Sequence, residues 1–311
     1  MNNEVTGLMI VGFAAFLQGS SIVPLYYTRT WKWEHHLMMF SLFGLIVFTM
    51  LFALITVPGL SLIYRASWPG DMIAPLVAGV ICSIGILVFR YGVSAAGFTS
   101  GYAAIFGVSI GMGTVFPLVF LHSDTILSVR GIIVLSILFV VLTFSGIVGI
   151  AGMRKKCESG KTTDRTGGVS SLSVKTGVIL CLFSGLCLSF INIGFVMSRP
   201  LTVSALSFGA SDYFSGIVVW SVLFISGGVL IFLYSIIIMG VNKSAHNFAA
   251  KGAFINFFLL LAMSCMWILS YVFYSMGSAI LGAWGTTAGW LVFMTLSSIF
   301  IIAWRFFLKP M

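Results

Sequence analysis

Charged residues are scarce in this sequence: they make up 7% of its 311 residues, and only seven of them are acidic. Soluble globular domains carry roughly 25% charged residues, so the composition excludes an ordinary soluble fold. Cysteine is also sparse, with five residues, none spaced as in a CxxC or zinc motif. Neither a disulfide framework nor a metal site is therefore expected.

Signatures of the common enzyme classes are absent as well. The chain has no HExxH pair, no nucleophile elbow, no P-loop and no G-x-G-x-x-G dinucleotide fingerprint. Each of these motifs supplies a catalytic group or a phosphate cradle to its reaction. We therefore expect neither enzymatic activity nor a cofactor.

What the sequence does contain is a series of long apolar runs, in keeping with a mean hydropathy of +1.13. A helix needs about 20 apolar residues to cross a bilayer, and each run is close to that length. We predict an all-α polytopic membrane protein with nine transmembrane helices: Thr6–Tyr27, His35–Pro58, Asp71–Gly92, Ser100–Leu121, Arg130–Gly152, Lys175–Met197, Tyr213–Met239, Gly252–Met276 and Leu281–Phe306.

One sizeable polar connection divides the chain, and it predicts the domain organisation. Residues 1–152 would form a first repeat of five helices, residues 153–173 a linker, and residues 174–311 a second repeat of four. Sparse identities relate the halves: Gly7 meets Gly177 at a shift of 170, and Gly97 meets Gly277 at a shift of 180. Because the first half has five helices, an odd number, the second half starts on the opposite side of the membrane and is inverted. Inverted repeats place a solute site near the midplane.

The distribution of positive charge predicts the orientation. Twelve Lys and Arg residues fall in the odd-numbered connections and the tail, against three in the even-numbered ones. The positive-inside rule then places the linker in the cytoplasm and the N-terminus outside, in the cell inner (cytoplasmic) membrane. The net charge of +9 is thus an orientation signal, and no nucleic-acid partner is expected.

The eighth apolar run carries an unusual polar stripe. Trp267, Ser270, Tyr271 and Tyr274 follow each other at i, i+3, i+4 and i+7, which places them on one face of a helix. A hydroxyl beside phenols at mid-span favours a helix that lines a polar cavity. Helix–helix packing with an interfacial aromatic belt explains the same spacing, so both interpretations stay open.

Other polar residues inside the runs are candidate solute-binding residues. Asn192 is the only asparagine in the interior of a run, and a buried amide without a partner costs several kcal/mol. It therefore needs either a solute or an interhelical hydrogen bond. The remaining candidates share hydroxyl, amide or aromatic chemistry and are Gln18, Ser21, Tyr102, Thr114 and Trp284.

No Asp or Glu lies in the middle of a predicted helix, since Glu34, Asp71, Asp124 and Asp212 all lie at predicted ends. Asp212 and His122 are the candidates for proton coupling, because a buried group that changes charge is what such coupling requires. For His122, however, the favoured interpretation is a solvated loop residue. Arg90, the one basic residue well inside a run, is interpreted as snorkelling to the surface or as contacting solute.

The residues resemble a known family, the L-rhamnose–proton symporters of the drug/metabolite transporter superfamily. The resemblance is carried by Pro24 with the motif Trp31-Lys32-Trp33-Glu34, by Gly113-Thr114 with Pro117, by Phe183-Ser184 leading to Asn192, and by Met266-Trp267 through Phe273-Tyr274 to Gly277. It implies the ten-helix drug/metabolite transporter fold, here lacking the last helix, in two inverted halves. The chain departs from the family pattern at Ile86 and Val88, where polar amides are expected.

The resemblance implies proton-coupled uptake of L-rhamnose or a related deoxyhexose by alternating access. The alternatives are a carrier or exporter of another small metabolite, and a membrane sensor or scaffold that transports nothing. Expected partners are the lipid bilayer, a small polar solute, protons and, left open, a second copy of the chain.

Overall fold

The computed structural model describes residues 3–158 and 172–308, and within these ranges the chain is helical, without strands. We label the long helices α1 to α9 in chain order: Asn3–Tyr27, Trp33–Thr56, Pro69–Ala96, Phe98–Leu121, Val129–Glu158, Val174–Met197, Ile217–Val241, Ala253–Leu281 and Trp290–Phe307. The last turn of α1 is 3₁₀-helical, and the middle of α2 is a π-helix at Phe40–Phe48.

The described residues contain eight segments that are long and apolar enough to cross a membrane. The last segment, Ala253–Phe307, has 55 residues, more than twice the length that one crossing needs. It contains α8 and α9. The prediction of a polytopic all-α membrane protein is confirmed, whereas the count of nine crossings stays a prediction.

The helices α8 and α9 run in opposite directions, as their contacts with α1 demonstrate. Ser270 of α8 bonds to Gln18, and a Cβ on Gly7 would touch Leu281, so α1 and α8 are antiparallel. Ser297 of α9 bonds to the Ala15 carbonyl and Trp304 to Ser20, so α1 and α9 are parallel.

The reversal between α8 and α9 begins at Gly282, whose φ of +64° is one that L side chains rarely adopt. A 3₁₀ turn and a π-helical segment, Gly285–Gly289, follow before α9 starts at Trp290. The predicted start of the ninth helix, at Leu281, is therefore wrong. The apolar composition runs through the turn without a break, so hydropathy alone does not mark it.

Two ends of the bundle can be distinguished. The Asn3 end holds the start of α1, the end of α4, the end of α6 and the Gly282 turn. The Arg29 end holds the connections α1–α2, α3–α4 and α7–α8, together with the end of α5. Of the predicted linker 153–173, positions 159–171, with Lys161 and Arg165, lie outside the described residues.

Close glycine contacts fix the central crossings. A Cβ on Gly7 of α1 would lie 3.2 Å from the carbonyl oxygen of Gly277, and a Cβ on Gly177 of α6 would lie 2.5 Å from the amide nitrogen of Ala96. Small residues at such crossings allow helix backbones to approach closely. The core is therefore built on the pairs α1–α8 and α3–α6.

The outside of the bundle is apolar. Phe139, Val140 and Phe144 of α5 are each between 64% and 72% exposed, and large aliphatic side chains on α2, α7 and α8 are exposed in the same way. A continuous apolar exterior on long helices is what a lipid-facing surface requires. With the eight spanning segments, it defines a multi-pass membrane protein.

Candidate functional site

The side chain of Asn192 lies at the centre of the bundle and is completely buried. Its amide nitrogen donates to the carbonyl oxygens of Gly113 on α4 and Thr286 in the π-helical segment, both at 2.8 Å. Its amide oxygen accepts from the Tyr274 hydroxyl at 3.0 Å. One side chain of α6 thus joins α4, α8 and the segment before α9.

Local sequence explains one of these bonds. Pro117 stands four residues after Gly113 and has no N–H, so the helix leaves the Gly113 carbonyl without its usual donor. In a membrane, such a freed carbonyl must be satisfied by a neighbour. The Asn192 amide supplies the donor, so Pro117 and Asn192 act as a matched pair across two helices.

Aromatic rings surround this centre. Phe195 stacks on Trp220 at 4.3 Å between ring centroids, Tyr271 packs against Trp267 at 4.7 Å, and Tyr274 packs against Phe293 at 4.9 Å. All six rings lie among α6, α7, α8 and α9. The polar stripe predicted on the eighth run therefore faces the protein interior and is packed there.

The remaining members of the predicted stripe contact α1. The Ser270 hydroxyl lies 2.7 Å from the Gln18 side-chain oxygen and 2.6 Å from the Trp267 carbonyl. The Ser21 hydroxyl donates to the Gln18 carbonyl at 2.7 Å. Trp267 also borders a small apolar gap of about 20 Å³, a volume close to that of one water.

A large cavity of about 1240 Å³ opens at the Asn3 end, directly beside this core. Phe195 and Thr286 form part of its lining, which places Asn192 immediately beneath it. Its polar lining includes Asn3, Thr6, Arg199, Thr202, Ser211, Ser215, Ser275 and Ser278. The lining is thus rich in hydroxyl groups, which both donate and accept hydrogen bonds.

The two predicted proton-coupling residues both line this cavity. Asp212 is exposed, whereas His122 is 7% exposed and bonds through Nε2 to the Ala283 carbonyl at 3.0 Å. The His122 ring stacks on Trp284 with centroids 4.0 Å apart and an interplanar angle of 7°. The stacked Trp284 ring thereby holds the His122 imidazole in the cavity wall.

Of two further predicted residues, Tyr102 lies apart from the rest and Thr114 lies at the core. Tyr102 stacks on Phe98 at 4.1 Å at the start of α4, near the Arg29 end and far from the cavity. Thr114 is fully buried beside Gly113, and its hydroxyl has no hydrogen-bond partner.

The structure therefore gathers Asn192, Tyr274 and Tyr271 at the core and Gln18, Ser21, Trp267 and Ser270 along α1 and α8. None of the ten predicted solute-binding side chains is among the described residues that line the large cavity. A role for them in binding stays a prediction.

Sequence reasoning missed the cavity residues of the short helix Arg199–Ser207, although an Arg among Ser and Thr residues between two apolar runs was a usable signal.

A second buried polar cluster lies at the Arg29 end. The Glu34 carboxylate is 3% exposed and accepts from Ser244 Oγ at 2.7 Å and Asn242 Nδ2 at 3.1 Å. His35 Nδ1 accepts from the Lys32 amide at 3.1 Å, so Nε2 is the protonated nitrogen and donates to the Ser244 carbonyl at 3.0 Å. Together these bonds tie the start of α2 to the α7–α8 connection.

The bundle and its polar cavity define an all-helical, multi-pass membrane protein with a solute-sized opening at one end. Comparison with known proteins shows that its sequence is similar to those of transporters. The chain is 22% identical over 312 aligned residues to the L-rhamnose-proton symporter of Escherichia coli O9:H4 (strain HS), covering 95% of this chain and 86% of the relative. The same figures hold for the L-rhamnose-proton symporter of Shigella boydii serotype 18 (strain CDC 3083-94 / BS512).

No protein-family model matches the chain, and no solved structure matches it. The predicted resemblance to L-rhamnose–proton symporters is confirmed by the similarity to these relatives along almost the whole chain.

Proposed function

We propose that the chain is a secondary active transporter that takes up a sugar, L-rhamnose or a related deoxyhexose, together with protons across the cytoplasmic membrane. The observation that carries the proposal is the cavity at the Asn3 end, lined by hydroxyl groups, in a chain similar over 95% of its length to named sugar symporters. Hydroxyl groups match the rim of a sugar, and the Phe195 and Tyr213 rings beside them match its C–H faces.

The size of the cavity supports an alternating-access mechanism. At about 1240 Å³ it exceeds the roughly 300–1,000 Å³ of closed small-molecule pockets, so a hydrated solute has room to enter. The Arg29 end is filled by Trp31, Met39 and Leu260, all 9% exposed or less. One open end and one packed end are what the outward-facing state requires if the Asn3 end lies outside.

Two inverted halves, residues 1–152 and 174–311, would provide the symmetry for that mechanism. The shifts of 170 and 180 relate Gly7 to Gly177 and Gly97 to Gly277. In the structure, Gly7 lies against Gly277, and Gly177 lies against Ala96, the neighbour of Gly97. The two contacts therefore involve positions that the two shifts relate to each other. Each crossing joins one half to the other, and the fact that the shifts exchange the two crossings supports the division into repeats.

Reconstitution into proteoliposomes tests the proposal. We expect labelled L-rhamnose, or another deoxyhexose in a panel, to show saturable counterflow, and an inward proton gradient to accelerate its net uptake. Asp212→Asn or His122→Gln is expected to remove the effect of the gradient and to preserve counterflow. An absence of counterflow for every solute in the panel would favour a sensor or scaffold.

A second candidate solute is a charged metabolite, because Arg199 and Asp212 place opposite charges in the same cavity. Arg199→Gln separates the two candidates. Hydrogen bonds to charged groups contribute about 1.5–3 kcal/mol, so a charged solute paired with Arg199 should lose roughly tenfold or more in apparent affinity, and a neutral sugar held by the hydroxyl groups should lose less. Lys251→Gln, which removes an exposed charge at the Arg29 end, is the matched control for counterflow.

A further inference from the structure

We propose that His36 is a proton-binding site that is masked while the Arg29 end is closed and becomes available when this end opens. The proposal rests on the proposed transport function for its role in coupling, and it adds a residue that lies far from the cavity. It is carried by the position of the imidazole and by the groups around it.

The His36 side chain is partly exposed, but its Nε2 atom is buried and has no hydrogen-bond partner among the described residues. Buried polar atoms in proteins are almost always paired, so an unpaired ring nitrogen requires an explanation. The neighbouring His35 is fully paired, through the Lys32 amide and the Ser244 carbonyl. The two adjacent histidines therefore differ: His35 holds the structure, and His36 has an unused proton-binding atom.

Charged and titratable groups on α2 and α3 lie close enough to His36 to influence its charge. On α2 these are Glu34 and His35, and from α3 the guanidinium of Arg90 acts on it. The Arg90 guanidinium also lies 5.5 Å from the Trp33 ring centroid. Beside it, the Tyr91 hydroxyl of α3 contacts the Tyr234 hydroxyl of α7 at 3.0 Å.

This arrangement accommodates a neutral ring more readily than a charged one. Burying a cation costs far more than burying a neutral polar group, and here a second cation, Arg90, lies nearby. Opening of this end would bring water to the ring and remove that cost. Protonation of His36 and opening of the Arg29 end are therefore linked, and acidification should favour the open form.

The contacts that would break on opening surround His36. Glu34 accepts from Ser244 and Asn242 at the α7–α8 connection. At the end of α1, the Asn256 side chain accepts from the Arg29 amide at 3.0 Å and donates to the Arg29 carbonyl at 2.5 Å. These bonds join α2 to the α7–α8 connection and the α1–α2 connection to α8, and they close the bundle over the imidazole.

A cysteine introduced deeper in the bundle than these hydrogen bonds would detect opening of the Arg29 end in the absence of any solute. Ser264 is fully buried on α8, eight residues deeper than Asn256 on the same face, which is about 12 Å along the helix. In the Ser264→Cys protein, labelling by a membrane-impermeant maleimide is followed by peptide mapping between about pH 8 and about pH 5.5, the range in which histidine titrates. The exposed native Cys157, at the same end, is the internal reference for thiol chemistry.

We expect the labelling of Cys at position 264, relative to Cys157, to be flat above about pH 6.5, the ordinary histidine pKa, and to rise below it to about ten times its pH 8 value at about pH 5.5. Linkage to a single proton allows at most roughly tenfold per unit. Adding His36→Phe or His36→Gln should make the ratio independent of pH, whereas His246→Gln, at an exposed histidine, should leave the rise unchanged.

A rise that persists in both His36 variants would overturn the proposal, and so would a ratio that is flat in the parent. Neither outcome bears on transport, which the counterflow assay measures separately. The chain has only four histidines, so ring-labelled histidine NMR can assign the titrating residue directly by the same substitutions.

Discussion

Replacement of Asn192 by alanine is expected to lower the free energy of unfolding by about 3 kcal/mol. The substitution leaves two buried groups, the Gly113 carbonyl and the Tyr274 hydroxyl, and the part-buried Thr286 carbonyl without their Asn192 partner. Interhelical hydrogen bonds in membrane proteins contribute only about 0.6 kcal/mol on average in double-mutant cycles. An unpaired buried group, however, costs about 1–3 kcal/mol, and Pro117 ensures that no N–H of α4 replaces the lost donor.

Thermal or denaturant unfolding of the purified protein in detergent measures this effect. Tyr274→Phe removes one bond of the three and should cost about 1 kcal/mol. Ser189→Ala, one turn before Asn192, is the matched control, because the Ser189 hydroxyl bonds only to the Leu186 carbonyl of its own helix. Equal stability of the Asn192→Ala and Ser189→Ala proteins would refute the central role of the amide.

The second large effect is expected for Gly79→Ala. A Cβ on Gly79 would lie 2.0 Å from the Leu223 carbonyl oxygen, whereas ordinary contacts begin at 3.4 Å. The backbones of α3 and α7 would therefore have to separate by about 1.4 Å, the difference between these two distances. Overpacking of this kind typically costs about 1–3 kcal/mol, and we expect the upper end because the opposing atom is backbone.

Gly146→Ala and Gly240→Ala are the controls for this prediction. Both glycines lie in helices, and a Cβ at either position would meet nothing within 4 Å. Alanine is favoured over glycine in a helix by up to about 1 kcal/mol, so these two proteins should be as stable as the parent or slightly more stable. A Gly79→Ala protein that is as stable as these two controls would contradict a tight crossing of α3 and α7.

The helical membrane fold could be predicted because it is encoded locally. Runs of about 20 apolar residues identify α1 to α8, with each predicted end at most six residues from the observed one, since a bilayer needs that length. The start of α9 could not be predicted in the same way. The reversal at Gly282 is a matter of backbone conformation within an apolar stretch, and hydropathy does not respond to it.

The interior polar residues were less predictable, because their partners come from distant parts of the chain. Asn192 stood out by residue type, but its bonds to Gly113 and Thr286 arise only when three helices meet. Pro117 carried a usable hint, since it frees a carbonyl that some donor must satisfy. Glu34 was assigned to a helix end, yet it is 3% exposed because the α7–α8 connection folds over it.

The exposure of large apolar side chains on α5 has a consequence for the evolution of the sequence. Phe139, Val140 and Phe144 make little contact with other helices, so natural selection acts on their affinity for lipid and hardly on their shape. Exchanges among Phe, Leu, Ile and Val should therefore accumulate freely along α5 in related lineages, whereas the glycines at the α3–α7 crossing should drift slowly.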